Sequence, residues 1–545
     1  MITLVKKRPI LTIILLVVVL LLPFLGVMEV TIMEARNFIT AREMLTDGNW
    51  ILTTMNGEAR YQKPPLPTWL TALSAMVFGI KSVWGLRFPA VLMIMLLGSM
   101  LYTLSRKLTL DKSHSFYNGL IGITSLYVIL IIFEAPWDMY AHTFMLVGIY
   151  GIVQVFRTAE TDWKYILLAV LGISCSVLSK GPVSVYALLL PFLISYGIIF
   201  RKSNTTKKWI QLSGILVLGL VLGFSWYLYV RYADPEAFAT ITSKETGNWT
   251  SYNVRPIYYY WSFFTQSGLW TIPAFIGLLY PYLKTRVSNL KVYQFTLLWT
   301  LLVVVLLSVI PEKKSRYLMP VLIPLAMNTG FYIEYLVRRF KELKDKRETI
   351  PVYIAFGVIG LAFIGAAASA IYLLVIETSI EVPMVSYVFA GLLTVIGILL
   401  LKKLYQKSIE GVIVLLMVGL VALVFGLGPL HIKNKEVSKD HFGFDGFFKE
   451  VGIDKTTPIY AYKNTSPEMV WARGEKILVI EDLSDLKEGD IFYIIDCQEC
   501  EESIENDEQM SKFKYNEPYF INLNYEGLEY KDRKAGYVYK LTKRE

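Results

Sequence analysis

The sequence predicts a polytopic all-α membrane protein with about thirteen transmembrane helices, followed by a small extracytoplasmic α/β domain. Three observations carry that prediction. Of the 545 residues, 54% are hydrophobic and 18% charged, and the mean hydropathy of +0.47 lies beyond what a soluble surface carries. Apolar segments of spanning or near-spanning length recur throughout residues 1–430. Near residue 431 the composition changes abruptly, and charges and tyrosines interrupt short alternating runs.

The first apolar segment, 9–28, follows Lys6, Lys7 and Arg8 and lacks a small-residue cleavage site, so it reads as an uncleaved helix with a cytoplasmic N-terminus. The other spans fall near 84–105, 116–133, 139–157, 165–179, 183–200, 209–230, 262–283, 292–310, 318–337, 350–376, 384–401 and 411–430. Every second loop is basic, including those with Arg106 and Lys107, Lys207 and Lys208, and Lys402 and Lys403, as the positive-inside rule requires. An odd number of spans places residues 431–545 outside. There "PIYAYK", "KILVI", "DIFYIID" and "GYVYKL" read as strands and Pro467 to Arg473 as a helix. Cys497 and Cys500 have a spacing that suits a local disulfide outside the cytoplasm, while three cysteines are too few for a disulfide framework. The net charge of +9 matches basic loops on anionic membrane lipid rather than nucleic acid.

The charges that break the inside bias are the informative ones. The outer loop 29–83 holds Glu34, Arg36, Arg60, Tyr61 and Lys63, and its segment from Met33 to Leu45 has the spacing of an amphipathic interfacial helix. Glu34 near that helix start either complements its dipole or serves chemistry. In "RYQKPPLPTW", Pro64 and Pro65 stiffen the backbone beyond Lys63, which presents an ammonium from a rigid strut at head-group level. Snorkelling beside a membrane re-entry at 66–78 is the competing reading. "FEAPWDMYAH" sets Glu134 and Asp138 four residues apart at a span junction, on one face if the helix survives Pro136. "SKGP" adds Lys180 at a turn. "PEKKSRYLMP" adds Lys313, Lys314, Arg316 and Tyr317 as an anion clamp, and Arg255 before Pro256 can grip a phosphate with two hydrogen bonds. No Walker loop, dinucleotide fingerprint or metal-spaced His/Cys cluster is present; a divalent ion between outer carboxylates is compatible with the sequence but not demanded by it.

Taken in order, an acid after the first span, "ARYQKPPLPTW", an acid after the third span, "SKGP" and "KKSRY" resemble the bacterial lipid-linked aminoarabinose transferases. These belong to the wider protein-mannosyltransferase-like group of GT-C glycosyltransferases. The motifs cover roughly residues 9–340; the rest is similar only in layout. The resemblance implies a GT-C fold and inverting transfer of a sugar from a polyprenyl phosphate to a lipid, glycan or protein acceptor at the outer face of the inner membrane. It implies a carboxylate base, Glu34 ahead of Asp138, and cations including Lys63 on the carrier phosphate. Two positions depart from the family pattern: Met33 stands where the first acid of an Asp-Glu pair is usual, and Gln62 where Glu is common. A lipid-linked sugar flippase is the alternative, and it would place ionisable residues near the membrane midplane.

Overall fold

The computed structural model describes all residues except 1–6, 135, 201–205, 377–382, 439–440, 487–490, 498–503, 526–528 and 545. Among the described residues, eight helices are long and apolar enough to cross a membrane, and a bent pair makes a ninth. The bent pair is α5 (Lys112–Thr124) and α6 (Leu126–Glu134), which meet at 41°. Asp111 caps α5 through the His114 N–H, and the bend falls at Ser125, whose backbone is extended and whose hydroxyl bonds back to the Ile121 carbonyl.

Several expected spans take another form. α1 (Pro9–Leu21) is shorter than the apolar run that encodes it. The 262–283 segment breaks into a 3₁₀ stretch, Phe263–Trp270, and a short helix, because Gly268 adopts φ +63°. The 318–337 segment is a helix, Met319–Arg339, but every residue from Met319 to Leu336 is buried, so it is an interior column that tolerates Asn328 and Thr329.

The segment after α1 is built on α2 (Ile32–Thr46), a two-residue hairpin of β1 (Thr54–Met55) and β2 (Glu58–Ala59), and α3 (Leu66–Phe78). Its helix α2 is not one-sided. Glu34, Asn37, Thr40, Arg42 and Glu43 are buried together with Phe38 and Ile39: Asn37 bonds Thr68 and Thr71, Thr40 accepts from Arg60, Glu43 accepts from Thr54 and Asn56, and the C-terminal part of the chain covers Phe38, Ile39 and Arg42. Four further helices frame the site: α4 (Val83–Lys107), α7 (Pro136–Arg157), α8 (Trp163–Lys180) and, beyond α9 (Leu190–Ile199), α10 (Thr206–Ala233), which leads into α11 (Pro235–Ser251). Antiparallel α7 and α8 touch at Gly148 and Gly172; a Cβ on Gly172 would lie 2.4 Å from the Gly148 nitrogen. That close approach sets the start of α7 beside the end of α8.

After α12 (Lys346–Ile376), α13 (Met384–Tyr405) and α14 (Ile409–Val437), residues 442–544 form a six-stranded mixed sheet. β3 (Ile459–Tyr462) lies parallel between β4 (Leu478–Ile480) and β5 (Ile491–Cys497). β8 (Ala535–Lys543) runs antiparallel to β5, β6 (Phe513–Tyr515) and β7 (Tyr519–Asn522). A helix at Pro467–Arg473 lies where the sequence placed one. The proposed Cys497–Cys500 pairing falls outside the described residues. The sheet region grips α2 and its hairpin: Trp471 packs on Phe38 at 5.2 Å, Asn56 exchanges two hydrogen bonds with Ile477, and Lys476 pairs with Asp47 at 2.7 Å.

Candidate active site

Lys63 sits at the end of a stiffened segment. Pro64 and Pro65 are buried and lead directly into α3, with Pro65 as its N-cap. The Lys63 side chain is 31% exposed, and Glu245 of α11 lies 3.9 Å from its ammonium, beyond hydrogen-bond range. The other charges it feels are Lys180, Asp138 and Arg60. Burial, reinforced by Lys180, pushes its pKa down to about 8. Arg60 is buried beside it, donating to the Arg36 carbonyl at 2.6 Å and the Thr40 hydroxyl at 2.7 Å, with its guanidinium 5.4 Å from the Trp137 ring centre. Among the described residues no carboxylate pairs with it, and burial, followed by the Arg36 charge, pushes its pKa down to about 9.

Asp138 and Lys180 face each other across the α7–α8 contact as a buried, hydrogen-bonded ion pair, with His142 of α7 3.7 Å from the same carboxylate oxygen. Gly181, at φ +70°, ends α8 immediately after Lys180 and so leaves the ammonium at the turn. From there it lies 5.0 Å from the Tyr317 ring centre. Pro136 starts α7 rather than interrupting a helix, so Glu134 and Asp138 do not share one face: Glu134 ends α6, exposed, and accepts a hydrogen bond from Tyr127 at 2.8 Å.

The clamp expected at 313–317 separates into distinct roles. Lys313 is buried and donates to the carbonyls of Ile310 (2.6 Å) and Arg255 (3.0 Å), so it ties two loops together. Lys314 pairs with Glu312 at 2.5 Å, and Tyr317 donates to the same carboxylate at 3.1 Å. The Arg316 guanidinium makes no ion pair or hydrogen bond among the described residues and lies 5.9 Å from the Tyr317 ring centre. Arg255 is exposed, and its carbonyl rather than its guanidinium is engaged. Tyr61 donates to Asp234 at 2.8 Å and packs edge-on to Trp226, anchoring the Lys63 segment to the root of α11. Arg36 is half-buried and reaches only the Met33 sulfur, at 3.9 Å.

Glu34 has a partner that sequence reading missed. It completes a capping box with Thr31, and its carboxylate takes two hydrogen bonds from Arg87 of α4, at 2.7 and 3.0 Å, with both side chains 1% exposed. Arg87 also donates to the carbonyls of Leu25, Met28 and Glu29, and its guanidinium lies 4.9 Å from the Phe133 ring centre. The signal was an arginine inside the apolar run of the second span, which implies a buried partner. Glu245, Trp137, His142 and Glu312 were also missed. Among the described residues, no three His, Cys, Asp or Glu side chains come together to hold a metal ion.

The arrangement is therefore a recess of cations, with Lys63, Arg60, Lys180 and Arg316 drawn from three separate segments. The described carboxylates nearest to it are mostly engaged already: Asp138 by Lys180 and Glu312 by Lys314. Such a cluster of positive charge favours an anion.

Comparison with known proteins finds relatives in both sequence and structure. Residues 62–227 match the family described as dolichyl-phosphate-mannose-protein mannosyltransferase. An uncharacterized protein of Aquifex aeolicus is 27% identical over 300 residues, 54% of this chain and 57% of that one. Undecaprenyl phosphate-alpha-4-amino-4-deoxy-L-arabinose arabinosyl transferase 1 of Proteus mirabilis is 24% identical over 341 residues, 60% of each. The matched region thus spans less than two thirds of these relatives' length. The crystal structures of ArnT from Cupriavidus metallidurans, apo and bound to undecaprenyl phosphate, superpose with TM-scores of 0.68 and 0.66 at 14% identity over 97% of each chain. The fold is the one seen in those ArnT structures, and the resemblance to the aminoarabinose transferases is borne out.

Proposed function

We propose that this chain is an integral-membrane glycosyltransferase that moves a sugar from a polyprenyl phosphate to an acceptor at the outer face of the inner membrane, with inversion at the anomeric carbon. The N-terminus is then cytoplasmic, about thirteen segments cross or enter the membrane, and the sheet of residues 442–544 is an extracytoplasmic domain. The observation that carries this reading is Lys63 on its proline strut, beside Lys180 and Arg60, with Glu245 at 3.9 Å making no hydrogen bond to it. Such a cluster stabilises the phosphate as it leaves with the negative charge released by the sugar. A flippase is the weaker reading, because the charges gather at one face rather than at the midplane.

Within this reading Lys63, Arg60 and Arg316 hold the carrier phosphate, and Asp138 positions Lys180. Of the three carboxylates singled out from sequence, Glu34 is held by Arg87 and Asp138 by Lys180. Glu134 alone keeps an open face, and its partner Tyr127 feels the charges of Asp138 and Arg316. We therefore assign the base to Glu134, with the buried Gln62 side-chain oxygen and Trp137 indole N–H, which make no hydrogen bond among the described residues, left for sugar hydroxyls. Glu134→Gln is expected to lower kcat by roughly 10²–10⁴-fold with KM for the donor little changed, as for loss of a general base. A fall in donor affinity instead would place Glu134 in binding.

The pH dependence of donor binding tests the phosphate site. Lys63 is charged below about 8 and neutral above it, with Lys180 and Arg60 favouring the neutral form and Glu245 and Asp138 the charged one. A bound phosphate favours the charged form, so binding takes up a proton and weakens as pH rises through about 8. Undecaprenyl phosphate titrated onto the protein in nanodiscs should show this loss, and Lys63→Arg should remove it because guanidinium stays charged. An unchanged affinity across that range would detach Lys63 from the phosphate. In the same assay Arg316→Ala should weaken binding about tenfold or more, the loss of a charge-assisted contact. Lys313→Ala should instead lower thermal stability, since its ammonium ties carbonyls of two loops.

A further inference from the structure

Positive charge gathers a second time beyond the other end of α3 from Lys63, where the C-terminal sheet region meets α2. Arg42 of α2 and Arg473, the last residue of the helix Pro467–Arg473, are both under a tenth exposed, and neither makes an ion pair among the described residues. Arg42 reaches the Val470 carbonyl at 3.4 Å and Arg473 the Thr457 carbonyl at 2.8 Å, which leaves Arg42 Nη2 and Arg473 Nε without an acceptor. Arg473 feels the charge of Arg42. Of the carboxylates that these two feel, Glu43 is taken by Thr54 and Asn56 and Asp47 by Lys476, while Glu475 is exposed and pairs with neither. Two buried like charges are costly to hold together, and an anion beside them lowers that cost.

A third cation adjoins them. Gly79, at φ +94°, ends α3, and the turn into α4 carries Lys81, exposed and without an ion pair among the described residues. Lys81 lies against Gly474, the residue after Arg473: a Cβ there would be 3.6 Å from the ammonium nitrogen. Just before this turn α3 exposes Leu73, Met76 and Val77, while Ala72 and Ala75 pack into the protein. That spacing of i, i+3 and i+4 makes one apolar strip along the helix. Beside it the rings of Phe78, Trp84 and Phe88 pack 5.1–5.6 Å apart, the aromatic clustering of a membrane–water boundary. The strip thus faces hydrocarbon, and Lys81 stands at head-group depth.

Three cations and one unpaired carboxylate above an apolar strip complement a head group of net negative charge rather than a zwitterion. We propose that the seam between the end of α3 and the helix Pro467–Arg473 binds an acidic phospholipid, its phosphate on Lys81 in the field of Arg473 and Arg42 and an acyl chain along α3. The lipid would fasten the C-terminal sheet region to the bilayer. This inference rests on the chain spanning a membrane and not on sugar transfer.

Native mass spectrometry of the full chain, with phosphatidylglycerol, phosphatidylethanolamine, phosphatidylcholine and undecaprenyl phosphate in equimolar competition, tests this. The wild type should retain one phosphatidylglycerol in preference to the others. Lys81→Gln, a change at an exposed position, should lower that retention about tenfold, and Val77→Asp, which sets a charge on the strip, should lower it as well, while a thermal melt confirms that both variants are folded. Hydrogen exchange at residues 471–477 should slow in nanodiscs containing phosphatidylglycerol relative to phosphatidylcholine alone, and Lys81→Gln should abolish the difference. Equal retention of the three phospholipids, displacement by undecaprenyl phosphate, retention unmoved by Lys81→Gln, or the same slowing of exchange by inorganic phosphate alone would overturn the proposal.

Discussion

Lys63→Ala is expected to weaken the donor complex by about 2–5 kcal/mol, roughly 30-fold or more in KM or Kd, the usual effect of removing one member of a recessed charge contact. Its backbone is set by Pro64 and Pro65, so the loss should reside in the ammonium rather than in folding, and the melting temperature should hardly move. Lys63→Arg should recover part of the affinity, limited by the room between Glu245 and Lys180. Surface plasmon resonance with undecaprenyl phosphate on nanodisc-embedded protein measures both. An affinity within about twofold of wild type for Lys63→Ala would remove the lysine from the site.

The second large effect is structural and falls on a residue that sequence reading ranked first for chemistry. Glu34→Gln leaves Arg87 buried with no counter-charge, and such half-broken pairs typically cost about 3–5 kcal/mol. Arg87→Met should cost as much, while Glu34→Gln with Arg87→Met should recover a large part of the loss, because two buried charges leave together. Thermal unfolding of the four proteins in one detergent closes the cycle. The sharper readout is activity per folded molecule: if Glu34 only holds Arg87 and the carbonyls behind it, the double variant keeps turnover. Loss of turnover in a well-folded double variant would restore Glu34 as the base.

What was legible in the sequence was whatever depends on near neighbours. The proline strut under Lys63, the Gly-Pro turn after Lys180 and the long apolar helices follow from local backbone chemistry and hydropathy, and the structure has each of them. Pairings between distant segments were not legible. Glu34 and Arg87 are 53 residues apart and Asp138 and Lys180 are 42 apart, so each acid looked free until the helices were packed. Lys313, Lys314 and Arg316 looked equivalent because adjacency says nothing about direction; one folds onto carbonyls, one onto a carboxylate, and one makes no ion pair among the described residues. α2 looked one-sided because its polar residues find partners elsewhere in the chain, Asn37 on Thr71, Glu43 on Thr54 and Arg42 on the Val470 carbonyl more than 400 positions away. Hydropathy also could not say that the helix at 319–339 is surrounded by protein, because burial in protein and burial in lipid select similar side chains.

The account's central claim is group transfer from a polyprenyl phosphate, and its most direct test is release of the carrier. Purified protein in nanodiscs would be given a panel of polyprenyl-phosphate sugars with candidate lipid, glycan and peptide acceptors, and free polyprenyl phosphate followed by mass spectrometry. The expected result is release that requires an acceptor, occurs in the wild type and is lost in Lys63→Ala. Donor that crosses the bilayer in sealed vesicles with its sugar still attached, and never yields free carrier with any acceptor, would contradict it.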